Sequence, residues 1–156
     1  MLFLLFTAGE NRYAVETRRV KEVIPRVALR SCPSAPDYVA GLINYRGDVT
    51  PVVDLSKFLT QTPCPVRLST RIIVISYTLV DGRSRFFGLM AEQVTQTLEK
   101  SDTDFSQLAL TGASEPFLGR ICCDDGDMIQ CIHPERLLPK ELEQLLFEKC
   151  EEDGLA

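Results

Sequence analysis

Residues 41–55 read Gly41-Leu42-Ile43-Asn44-Tyr45-Arg46-Gly47-Asp48-Val49-Thr50-Pro51-Val52-Val53-Asp54-Leu55. An apolar run, a polar turn and a β-branched run predict a strand, a turn at Arg46-Gly47-Asp48, and a second strand. Asp54 stands where a side-chain oxygen caps a helix, so a short helical turn is expected over residues 55–59.

Upstream, residues 2–7 pair with residues 12–15 across Ala8-Gly9-Glu10-Asn11, a hairpin-type connection containing glycine. Val20-Lys21-Glu22-Val23-Ile24 alternates apolar and charged residues, the mark of a strand with one buried and one wet face. Glu22 is expected on the wet face, and Pro25 marks an edge or a bend. Residues 26–29 continue extended, and the two prolines within 32–36 bar a regular helix.

Downstream, residues 60–65 are polar and proline-bearing, a loop that divides the chain into two halves. Arg71-Ile72-Ile73-Val74-Ile75 reads as a strand buried on both faces. Asp81-Gly82 signals a hairpin before residues 85–90. Residues 91–99 fit a helical turn or a strand, and 101–119 a long connection with one irregular strand. Two further strands, 117–123 and 128–132, flank Asp124-Asp125-Gly126-Asp127. Residues 134–138 begin a helix, and Leu142, Leu145, Leu146 and Phe147 give residues 140–150 an amphipathic helical pattern. Many short strands before one C-terminal helix point to barrels or a sandwich.

The whole chain has 156 residues, is 45% hydrophobic and 25% charged, and carries a formal net charge of −5. That length and apolar share describe one globular domain, spanning residues 1–150, with 151–156 as a frayed tail. The acidic balance argues against a nucleic-acid partner, which a basic patch normally attracts. Residues 1–6 are apolar but lack a basic flank and end at Glu10, too early for a signal peptide. No apolar run reaches the length of a membrane span, so membrane insertion is not expected and the cytoplasm is the expected location.

Chemistry is sparse. The chain has one histidine, His133, and six cysteines. His133 precedes Pro134, where it is expected to cap the following helix rather than serve in a catalytic set. No Gly-rich phosphate motif occurs, and no cofactor is implied. Asp124, Asp125 and Asp127 resemble part of a calcium loop, but ligand spacing and Pro134 break the pattern. Cys122, Cys123, Cys131 and His133 form the only cluster of metal-ligating residue types. They support two readings: small core residues of strands, or a metal- or redox-responsive regulatory protein. Arg46, on a tight turn, suits planar contacts with a carboxylate, and Glu22 is a candidate partner within the chain.

The run from Gly41 to Gly47 and the following Pro51-Val52-Val53-Asp54-Leu55 resemble the central motif of CheW-like chemotaxis adaptor proteins. Phe3-Leu4-Leu5-Phe6, Tyr13-Ala14-Val15, Val20-Lys21-Glu22-Val23, residues 70–75, Gly88-Leu89-Met90 and residues 132–138 match the family's remaining marks in order. The resemblance implies a mainly β fold of two packed, interleaved SH3-like five-stranded barrels with a C-terminal α-helix, the second half beginning near residue 70. It implies a non-enzymatic adaptor linking chemoreceptor cytoplasmic tips to a CheA-type histidine kinase through the kinase's regulatory domain. The receptor-facing surface would include Val20, Glu22, Gly41 and Arg46, with Gly88 and Arg71 near it in the second half. An apolar barrel end would meet the kinase. Tyr45 replaces the usual leucine before Arg46 and, with Pro25, would sit beside the receptor face. The Asn-Tyr-Arg-Gly style is similar to adaptors of alternative pathways, such as those controlling surface-associated growth through a diguanylate cyclase.

Overall fold

The computed structural model describes residues 1–78, 82–106 and 117–137. Its strands are β1 (Leu2–Ala8), β2 (Asn11–Glu16), β3 (Val20–Pro25), β4 (Val39–Tyr45), β5 (Asp48–Asp54), β6 (Thr70–Thr78), β7 (Ser84–Glu99), β8 (Phe105–Ser106), β9 (Leu118–Asp124) and β10 (Asp127–Ile132). One short helix, α1 (Leu55–Thr60), follows β5. The chain is mainly β. The C-terminal helix expected over residues 140–150 lies outside the described residues, and residues 134–136 form a single 3-10 turn.

All ten strands join one hydrogen-bonded network, in the order β3-β6-β7-β1-β2-β10-β9-β8, with β5 attached to β7 and β4 to β5. The network curls into two barrel-like groups, and β7 belongs to both. Its first part pairs with β6, from Ser84 opposite Thr78 to Glu92 opposite Thr70, and runs parallel to β5. Its second part pairs with β1, from Glu92 opposite Thr7 to Glu99 opposite Leu2. At the changeover Gln93 adopts φ 52 and its N–H donates to the Ser69 carbonyl at 3.2 Å. This bulge turns the strand from one barrel into the other. Residues 91–99, which fit either a helical turn or a strand, are therefore strand.

Strands from both halves of the chain are interleaved. The N-terminal hairpin β1–β2 pairs with β7 and, in parallel, with β10. The middle strands β3 to β6 complete the other group, where Arg30 bridges Leu42 of β4 beyond the end of β3. The loop at 60–65 is tied down as well: Cys64 is buried, and its N–H donates to both carboxylate oxygens of Asp54, at 3.0 and 3.3 Å.

Three apolar clusters fill this arrangement. Alternate residues of β6 point to opposite sides, so Ile72 and Val74 pack with Ile43, Tyr45, Val52 and Met90 inside one barrel. Ile73 and Ile75 pack with Phe6, Tyr13, Val15, Val53, Leu55, Phe87 and Leu89 in the seam between the barrels. Phe3, Leu5, Ala14, Cys122, Ile129 and Cys131 fill the other barrel. A strand with both faces covered needs the continuous apolar run that residues 72–75 supply.

Asp54 caps α1 as expected, its Oδ1 accepting from the Lys57 N–H at 3.0 Å. With the two contacts to Cys64, this buried carboxylate fixes both the start of α1 and the loop beyond it. Asp54→Ala removes the cap and orphans the buried Cys64 N–H. It should destabilise the protein by about 2 kcal/mol, read as a lower denaturant midpoint at unchanged slope.

Candidate functional site

The turn between β4 and β5 is a two-residue hairpin with Arg46 at φ 51 and Gly47 at φ 89. Positive φ at both central positions is the type I′ geometry that suits the twist of paired strands. The Asn44 side chain accepts from the Gly47 N–H at 2.9 Å and braces the turn. No side chain within 4 Å of Gly47 would meet an added Cβ, so its glycine answers to backbone conformation alone.

Arg46 is exposed, and its Nη2 donates to Glu22 Oε1 at 3.1 Å. Tyr45 also donates its hydroxyl to Glu22 Oε1, at 2.5 Å. The Tyr45 ring is buried against Phe86, edge to face at 5.4 Å between centroids. The Arg46 guanidinium lies 5.4 Å from the same Tyr45 ring. Burial and the bond to Glu22 raise the Tyr45 pKa, so its phenol is a proton donor throughout the neutral range.

This geometry corrects one expectation. Glu22 is not on the wet face of β3: strict alternation along the strand sets Val20, Glu22 and Ile24 on the partly covered side, and Lys21, Val23 and Pro25 on the exposed one. Residues two apart in a strand share a face, so the charge of Glu22 does not mark its side; its neighbours Val20 and Ile24 do. Tyr45 has its ring in one barrel's core and its hydroxyl on Glu22.

Three of the sequence-selected residues share a single row across the sheet. Glu22 on β3 is opposite Val74 on β6, Val74 is opposite Gly88 on β7, Gly88 is opposite Val52 on β5, and Val52 is opposite Gly41 on β4. Gly88 is buried in that row rather than at a surface. A Cβ there would lie 2.7 Å from Ile72 Cγ2 and 3.1 Å from Val52 Cγ2. Gly41 has φ 154, and a Cβ there would meet the Arg30 carbonyl oxygen at 2.7 Å. Both glycines thus allow close approach of neighbouring chain. Val20, half-buried, heads β3 and packs on the seam core. Arg71 lies apart from the cluster, opposite Pro25 and Ala91, its Nη1 donating to the Leu68 and Thr70 carbonyls.

The cysteine cluster does not converge. Cys122 and Cys131 point into one barrel, whereas Cys123, the next residue along the strand, is exposed. Burial raises the Cys122 thiol pKa and pushes Cys131 up to about 12. Among the described residues no group of three or more His, Cys, Asp or Glu side chains is arranged to hold a metal ion. His133 occupies the position before the 3-10 turn but makes no capping hydrogen bond with its side chain. Pro134 already fixes the entry to that turn, and the imidazole lies 3.8 Å from Glu135 Oε1 instead. Burial, with Arg136 nearby, lowers its pKa.

Fold and cluster together define a two-barrel β protein with a charged cluster at the end of one barrel. The family model described as "CheW-like domain" matches residues 2–142, so the chain belongs to the CheW-like family. It is 28% identical over 140 residues to a chemotaxis protein CheW of Rhizobium meliloti, covering 88% of this chain and 87% of that protein. A chemotaxis protein CheW of Klebsiella aerogenes is 30% identical over 98 residues, which span 59% of each chain. Among solved structures, the scaffolding protein TtCheW from Thermoanaerobacter tengcongensis has the same fold, with a TM-score of 0.76 at 22% identity over 88% of this chain and 87% of that one. No described helix is long and apolar enough to cross a membrane.

Two outcomes check this placement. Gly88→Val overfills the space between Ile72 and Val52 and should cost about 1–3 kcal/mol of stability, so any loss of binding should follow loss of fold on warming. Under native conditions a thiol reagent should label Cys123 well before Cys122 or Cys131, as peptide mass spectrometry will show.

Proposed function

We propose that this chain is a non-enzymatic adaptor that couples methyl-accepting chemoreceptors to a CheA-type histidine kinase in a chemosensory array. The observation that carries the reading is the junction of Glu22, Tyr45 and Arg46 at one barrel end, in a chain of CheW-like fold. Rigid strands hold an exposed guanidinium beside a half-buried carboxylate, a pairing that suits recognition of a protein surface.

The receptor's cytoplasmic tip docks on Val20, Glu22, Gly41 and Arg46. Gly88 acts from behind as the spacer that lets β5, β6 and β7 pack, and Arg71 lies at the margin of the face. The kinase's regulatory domain meets an apolar barrel end elsewhere on the same domain, taken as residues 1–150. These partners place the protein in the cytoplasm, with no cofactor and no nucleic acid. The Asn-Tyr-Arg-Gly turn is the basis for assigning it to an alternative, surface-sensing type of pathway.

The test is direct. Purified protein should bind both a receptor cytoplasmic hairpin fragment and the isolated kinase regulatory domain, measured by biolayer interferometry. Arg46→Ala should weaken the receptor contact by about thirtyfold while leaving the kinase contact and the melting temperature in place. Equal receptor binding by the folded variant removes the docking face proposed here. Failure of the parent protein to bind either partner removes the adaptor reading altogether.

A further inference from the structure

Tyr45 contributes more than burial requires. Its ring already packs among Ile43, Val52, Ile72, Val74 and Met90, a place that leucine would fill without a hydroxyl. The hydroxyl emerges from that core at the barrel end and donates to Glu22 Oε1, the oxygen that also accepts from Arg46 Nη2. The ring in turn lies beneath the Arg46 guanidinium. One rigid side chain therefore touches both members of the charged pair, by its hydroxyl on one and by its ring on the other.

The two charged side chains need such an anchor. Arg46 is 61% exposed and Glu22 36%, and an ion pair that open to water holds its geometry weakly. Long side chains also lose rotamer freedom whenever a partner fixes them. Tyr45 has only two side-chain torsions, and the core packing around its ring fixes both. Through Oε1 it pins the Glu22 carboxylate, and Glu22 then engages a single nitrogen of Arg46. Among the described residues Arg46 Nη1 and Nε have no acceptor, so those donors stay available to an acidic group on a partner.

We propose that Tyr45 is a positioning residue of the docking face, holding Glu22 and, through Glu22 and its own ring, the Arg46 guanidinium in the orientation that the receptor meets. This rests on the reading that Arg46 contacts the receptor, and the test separates the two.

The experiment is a double-mutant cycle: the parent, Tyr45→Phe, Arg46→Ala and the double variant, each titrated with the receptor cytoplasmic hairpin fragment and with the kinase regulatory domain. Measurements are made well below every variant's melting temperature. Tyr45→Phe keeps the ring and removes only the hydroxyl. It should weaken receptor binding by about tenfold, the scale of one hydrogen bond to a charged group, and leave kinase binding unchanged. In the Arg46→Ala background the same change should have a clearly smaller effect, because only Glu22 remains to be positioned. Glu22→Gln, which retains the core around Tyr45, should show the same dependence on Arg46.

Parent-like receptor binding by Tyr45→Phe overturns the proposal, and so does an equal loss in both backgrounds, which marks a role independent of Arg46. Weakened binding by Arg46→Ala with no effect of Tyr45→Phe overturns the positioning role but keeps the docking face. Undiminished binding by Arg46→Ala overturns both.

Discussion

The strand Ser84–Glu99 hydrogen-bonds to three others, and that shared ladder is the constraint on which the architecture depends. A strand that serves two curled sheets must be packed on both sides, must bend where it passes between them, and must let its neighbours come close. Leu89 and Phe87 meet the first demand from the seam, with Met90 on the other side. The bulge at Gln93 meets the second, and Gly88 the third. Each is local, yet removing any of them disturbs both barrels, because no second strand carries the connection between β6 and β1.

The charged cluster follows from the same frame. Gly88 sits in the row that runs from Glu22 to Gly41, so the spacing of β3 to β4 across the sheet is set at the shared strand. The turn carrying Arg46 then brings a guanidinium to the end of that barrel, with the Tyr45 hydroxyl already beside Glu22. Residues separated by 24 positions in the chain thus meet through sheet register rather than through local structure.

Where sequence reading succeeded, the signal was periodic or conformational. The β-branched run at residues 72–75, the Arg46-Gly47 and Asp125-Gly126 turns, and the Asp54 cap each have a local physical cause visible in the residues themselves. Its misses have other causes. Glu22 read as a wet-face residue on its charge although it shares a side with Val20 and Ile24, and residues 91–99 hid a strand because Glu92 and Gln93 interrupt its pattern where the partner strand changes. Tyr45 read as a substitution in a motif, since its partner lies on the preceding strand, 23 residues away. His133 read as a cap because position suggested it, whereas Pro134 had already taken over that task.

The interleaving of the strands also governs how the chain comes to be folded. The β1–β2 hairpin is complete within the first sixteen residues, but its two outer edges are filled by β7 and β10. During synthesis the β1 edge waits for β7, and the β2 edge until residues beyond 130 have left the ribosome. Pairings of such long sequence separation slow folding and lengthen the interval in which bare strand edges can find the wrong partner. A domain made this way reaches its structure almost all at once, after β10 has emerged, and its early strands depend until then on not meeting another chain's.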